Sequence, residues 1–179
     1  MKTNMKNTSK ITFSALMAAL ATAVMLLSYL PYLIYAIPAI AGLFIMIVTI
    51  ELNKKWAFMA YAVSAILVFL IADFESRFLY VFFFGYYPIM KALIEQINKA
   101  VIEWPIKIAV FNLSVLAVYV IFSKFFAFSV DEFGEFGKYS AYILLALGNI
   151  VFVLYDIAVS RVSMAYMSIL HSKIKKLLR

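Results

Sequence analysis

Few residues in this chain have side chains that could do chemistry. The only histidine, His171, sits in the basic tail HSKIKKLLR, where a solvated or headgroup position is expected. Cysteine is absent, which excludes disulfides, thiolate nucleophiles and cysteine metal sites. Neither an H-E-x-x-H zinc pair nor a G-x-S-x-G nucleophile elbow occurs. Two carboxylates acting as acid and base must converge at one point, and only Asp156 lies clearly deep in an apolar run. No catalytic residue, metal site or cofactor is therefore expected. The chain has no phosphate-cradling glycine loop, so any use of ATP must come from partners.

The remaining polar groups suit binding or support. An ionisable residue inside an apolar helix is costly and marks a site. Lys91, in FFFGYYPIMKALIEQ, and Asp156, in YILLALGNIVFVLYDIAVS, fall at similar depth and are expected to form a buried ion pair. Lys91 also has the local alternatives of Glu95, four residues on, and of snorkelling to the membrane edge. Lys107 and Arg161 are expected to snorkel from helix ends. Asn112 and Asn149 can bond across helices. A ligand pocket is mostly apolar with a few placed polar groups. Arg77, Tyr80, Phe84, Tyr87, Tyr119, Tyr142 and Asn149 offer such a set at the expected outer side, with aromatic faces for a flat ring and Arg77 for a carboxylate or phosphate. An interfacial aromatic belt accounts for several of them without a ligand; Tyr87 is too deep for a belt.

The elements that must position these groups follow from composition. Of 179 residues, 66% are hydrophobic and 14% charged, against roughly 45–50% and about 25% in soluble domains. The excess apolar surface must face a lipid bilayer. The net charge of +7 is confined to connectors and ends, with no basic stripe of the kind that binds nucleic acid. Since a crossing helix needs about 20 apolar residues, the sequence predicts an all-α integral membrane protein of one domain with six transmembrane helices, at 11–30, 32–50, 56–72, 78–94, 105–122 and 139–165. Pro105 is expected in a first helical turn. The first apolar run is longer than a signal-peptide core, so no cleavage is expected.

Lysine and arginine counts in short loops set orientation. Lys2, Lys6, Lys10, Lys54, Lys55, Lys99, Lys173, Lys175, Lys176 and Arg179 fall on one side; Arg77, Lys124 and Lys138 fall on the other. Both termini are thus expected in the cytoplasm, in a multi-pass protein of the cell membrane. No internal repeat is visible, which argues against an inverted-repeat transporter. The longest connector, SKFFAFSVDEFGEFGK, reads as an amphipathic segment at the headgroups or as a cover over an outward pocket.

The first span contains SALMAALATA, residues 14–23, seven of them small. Its large residues, Phe13, Leu16, Met17, Leu20, Val24 and Leu27, form a stripe. Ala15, Ala19 and Ala23 lie four apart, a spacing that lets another helix approach closely. With this repeated A-x-x-x-A and its topology, the chain resembles the substrate-capture subunit (S component) of energy-coupling factor (ECF) vitamin transporters. The resemblance implies docking of the alanine face on a transmembrane coupling subunit driven by two cytoplasmic ATPases. It also implies high-affinity capture of a small molecule, a vitamin or vitamin precursor, from outside, with the loop SYLPYLIY helping to cover the pocket. Other readings are a stand-alone secondary transporter or channel, and a membrane scaffold without ligand. The second and third spans carry almost no polar residues, which makes a continuous aqueous path hard to line.

Overall fold

A computed structural model describes residues 6–125 and 140–177. Lys2, Lys138, Arg179 and most of the long phenylalanine-rich connector lie outside those residues.

The described elements are all helical. They are α1 (Asn7–Met25), α2 (Ala36–Glu51), α3 (Lys54–Ile71), α4 (Phe74–Leu79), α5 (Tyr87–Ile94), α6 (Ala100–Phe125), α7 (Ser140–Ile169) and α8 (His171–Leu177). A π-helical segment, Tyr80–Phe84, joins α4 towards α5, and short 3-10 turns follow α1 and α5. Five helical stretches among the described residues are long and apolar enough to cross a membrane: Asn7–Tyr29, Lys54–Ile71, Phe74–Ile97, Ala100–Ile121 and Tyr142–Ile169. Large apolar side chains such as Leu70, Val101 and Leu154 are exposed on the outside of the bundle. An exposed apolar exterior of this kind is compatible with a membrane protein.

Helix α2 is shorter than the sequence pattern implies. It begins at Ala36 rather than at 32, because Tyr32 adopts a left-handed backbone (φ 71°) after the 3-10 turn Leu26–Tyr29. Sixteen residues at 1.5 Å each span about 24 Å, less than the roughly 30 Å hydrocarbon thickness. The intervening loop is anchored where Ser76 Oγ donates to the Ile34 carbonyl at 2.9 Å. Tyr29 Oη likewise donates to the Ile71 carbonyl at 3.1 Å. Asn53 caps α3 by accepting from the Trp56 amide, as an Asn at that position does.

Helix α1 packs on α2 and α3, and α2 also touches α4, the π segment, α5 and α7. One core cluster joins Phe13, Met17 and Ala18 of α1 to Ile45 and Val48 of α2, Ala57 and Ala60 of α3, and Ile89 of α5. Ile174 of α8 packs against this same cluster, so α8 lies at the end of the bundle where α1 starts and α2 stops. The seven small residues of SALMAALATA divide between two uses. Ser14, Ala18, Ala21 and Thr22 are buried against the chain's own helices, whereas Ala15, Ala19 and Ala23 are exposed. Bulk does not decide which side faces inward: Leu16, Leu20 and Leu27 are exposed as well.

The fourth apolar run is not one continuous helix. Pro88 has no amide hydrogen and cannot donate to the Phe84 carbonyl four residues back. The chain first widens into the π segment, where the Gly85 amide donates to the Tyr80 carbonyl at 2.8 Å, five residues back. It then restarts at Tyr87 with Pro88 in the first turn, where a missing donor costs nothing. Tyr61 Oη donates to the Val81 carbonyl of the π segment. Gly42 of α2 lies directly beneath the Phe84 carbonyl, with the Tyr155 hydroxyl also near. A Cβ on residue 42 would overlap that carbonyl, which is backbone and cannot turn aside. Gly42→Ala is expected to destabilise the fold by about 1–3 kcal/mol, the usual range for overpacking, read as a lowered unfolding midpoint of the purified protein in detergent.

Candidate functional site: a buried charge square

Four charged side chains from α5 and the 3-10 turn that follows it, α6 and α7 meet inside the bundle. Lys91 Nζ contacts Asp156 Oδ1 and also Glu95 Oε1 at 2.7 Å. Lys107 Nζ lies 2.8 Å from Glu95 Oε1 and 3.1 Å from Asp156 Oδ2. Each ammonium therefore bridges both carboxylates, and the formal charges sum to zero. Tyr87 Oη donates to Asp156 Oδ1 at 2.6 Å. Lys91, Lys107 and Asp156 are each at most 4% exposed, whereas the Glu95 side chain is 41% exposed and opens the square towards the end of α5.

The helix period assembles this square. Tyr87, Lys91 and Glu95 follow one another at four-residue steps, so they line one face of α5 and its terminal turn. That face exists in this register because Pro88 restarts the helix just before it. The aromatic cluster of Phe83, Tyr87 and Phe152, with Phe111 and Tyr155 against it, seals the other side of Asp156. Phe111 stacks on Phe152 with centroids 4.9 Å apart. The surrounding hydrocarbon strengthens the attraction and raises the cost of any unpaired member.

Lys107 departs from the expected snorkelling position. Helix α6 begins at Ala100, so Pro105 lies within it and Lys107 sits two turns inside instead of at its start. Its ammonium also lies 5.4 Å from the Trp104 ring centroid. The sequence signal available was the single acid Glu103, which accepts from the Lys99 amide and marks the true first turn. Arg161 is exposed.

The seven residues expected to line a ligand pocket are not brought together. Tyr80 is fully buried and its hydroxyl pairs with Ser64 Oγ at 2.7 Å. Tyr87 is fully buried and committed to Asp156. Phe84 packs edge-on to Tyr155, centroids 4.9 Å apart. These three are supports in the core and not open walls. Asn149 exchanges amide hydrogen bonds with Asn112 at 3.0 and 3.3 Å, joining α6 to α7. Tyr119 and Tyr142 have exposed side chains. Arg77 donates from Nη1 to the Phe69 carbonyl at 3.1 Å and lies over the Phe74 ring at 5.0 Å. Its buried Nε has no partner.

A second polar cluster joins α2 to the far end of the chain. The buried Glu51 carboxylate accepts from Tyr166 Oη at 2.7 Å and meets His171 Nδ1 at 2.8 Å. His171 is thus tied to a carboxylate at the bundle end. A glutamate at the end of an apolar run is ordinarily solvated, so residue type and position alone do not mark Glu51 as a buried partner. No group of three or more His, Asp or Glu among the described residues is placed to hold a metal ion.

Set against protein-family models, curated proteins and solved structures, the chain matches none of them.

The square makes a quantitative expectation. Asp156→Asn leaves two buried lysines sharing one carboxylate and is expected to cost about 3–5 kcal/mol, as breaking a buried pair does. Lys107→Met combined with Asp156→Asn is expected to cost less than the sum of the two single changes, by about 0.5–3 kcal/mol. Unfolding of the four proteins in detergent measures both quantities.

Proposed function

We propose that the chain is a six-span, multi-pass protein of the cell membrane with both termini in the cytoplasm. In this reading it captures a small molecule, a vitamin or vitamin precursor, from outside and delivers it to an ATP-driven ECF transport module. The observation that carries the reading is the exposure of Ala15, Ala19 and Ala23 along one line of α1. Between lipid-exposed helices there is no hydrophobic drive, and close backbone approach supplies the attraction. The chain's own helices leave these three alanines uncovered, so the stripe is free to receive a helix of the coupling subunit. The other small residues of the same helix are already used inside the bundle, which separates a permanent face from a detachable one.

The cargo would enter from the end opposite α8. Arg77, Tyr119 and Tyr142 are the candidates for contact there, with Tyr80, Phe84 and Tyr87 as rigid supports behind them. Replacing Ala15, Ala19 and Ala23 together by leucine is expected to abolish co-purification with a large membrane subunit and two ATPases. Ligand retained by the purified subunit, read by native mass spectrometry, should be unchanged. Unimpaired assembly of the triple variant would overturn the docking role.

The charge square favours a second reading, a stand-alone secondary transporter. Ionisable groups within membrane helices mark proton relays, and the exposed Glu95 side chain connects the square to one end of the bundle. Proteoliposomes containing this chain alone distinguish the two. Uptake driven by an imposed proton gradient, lost in Asp156→Asn, is expected from the second reading; no gradient-driven uptake is expected from the first.

A further inference from the structure

Away from the square and from the alanine stripe, an apolar slot of about 310 Å³ lies between α2 and α7. Phe44 and Ile47 of α2 form one wall; Val162, Ala165 and Tyr166 of α7 form the other, and Leu170 closes the end next to α8. The slot opens to the outside of the bundle, where Val162 and Leu170 are exposed. Tyr166 contributes only its ring, because its hydroxyl is held by Glu51. The walls therefore offer carbon and almost no hydrogen-bonding group.

Basic residues occur in the segments that lead away from this end of the slot. Lys54 and Lys55 begin α3 after a two-residue connector from α2, and Lys173 lies on α8 three residues after Leu170. Glu51 is the acid that α2, α3 and α8 present at this corner, and it is buried and occupied by Tyr166 and His171. Helix α8 is held down by Ile174 on the core. It follows the last apolar residues of α7, where a membrane surface would lie.

We infer that this slot is a binding site for one anionic phospholipid, with an acyl chain between α2 and α7 and the headgroup phosphate beside Lys54, Lys173 and their neighbours. Size and charge select that occupant. A helix with its side chains is about 10–12 Å across and cannot enter a slot of this volume, whereas a single hydrocarbon chain can. The lysines of α3 and α8 select an anionic headgroup over a zwitterionic one. The site stands apart from cargo capture and does not depend on it.

The test uses the full chain, purified in detergent and analysed by native mass spectrometry. Phosphatidylglycerol and phosphatidylcholine with identical acyl chains are added in parallel with glycerol phosphate, the headgroup without chains. Phosphatidylglycerol is expected to be retained at least about fivefold better than phosphatidylcholine, the effect of one lysine beside an anionic headgroup. Ala165→Phe, whose side chain fills the slot from an exposed position, is expected to lower retention of both lipids. Lys54→Glu with Lys173→Glu is expected to remove the preference while leaving phosphatidylcholine unchanged. Equal retention of the two lipids would overturn the inference. So would unchanged retention in Ala165→Phe, or binding of glycerol phosphate as strong as that of the lipid. A polypeptide lost from this face in Ala165→Phe, with no lipid preference, would assign the slot to a protein partner instead.

Discussion

Two ammonium groups and two carboxylates neutralise one another in the interior of this bundle, and the arrangement of α5, α6 and α7 depends on that balance. A lysine or aspartate alone at the centre of a membrane helix costs on the order of 2.5–3.5 kcal/mol. Here each lysine meets both acids, and Asp156 receives a further hydrogen bond from Tyr87. Helices α6 and α7 otherwise touch chiefly through aromatic stacking and the Asn112–Asn149 pair. Interhelical polar bonds add to van der Waals packing between membrane helices, and their directionality helps fix which helices meet and in what register. The square therefore supports the bundle whether or not it also moves protons.

The square needs the broken helix beside it. Pro88 prevents the Phe84 carbonyl from being used in the ordinary way, and the π segment absorbs the mismatch before α5 restarts. The restart sets the face on which Tyr87, Lys91 and Glu95 align. Gly42 then allows α2 to lie against the Phe84 carbonyl. One proline thus ties the geometry of α2, α5 and α7 together, and the tight contact at Gly42 makes the break a rigid feature.

Small residues and polar groups are concentrated on different parts of the chain. The α1–α2–α3 unit is tightly packed through small residues and leaves the Ala15, Ala19 and Ala23 line uncovered. The polar groups concentrate on α5, α6 and α7. An uncovered small-residue line on one side and a polar interior on the other thus lie on different helices of the bundle.

Composition and periodicity determined that this chain is helical and apolar enough for lipid, because 66% hydrophobic residues cannot be hidden inside a bundle of this size. They also placed Lys91 and Asp156 at matching depth, since depth along a helix is a linear function of residue number. Three-dimensional packing decided the rest. Lys107 joined the square because α6 starts five residues before Pro105, a boundary set by which residues find partners and not by the proline. Tyr80 and Tyr87 became core supports because Ser64 and Asp156, distant in sequence, lie within reach of their hydroxyls. Which alanines of α1 face outward depended on where α2 and α3 lie, and a helical repeat fixes only their spacing.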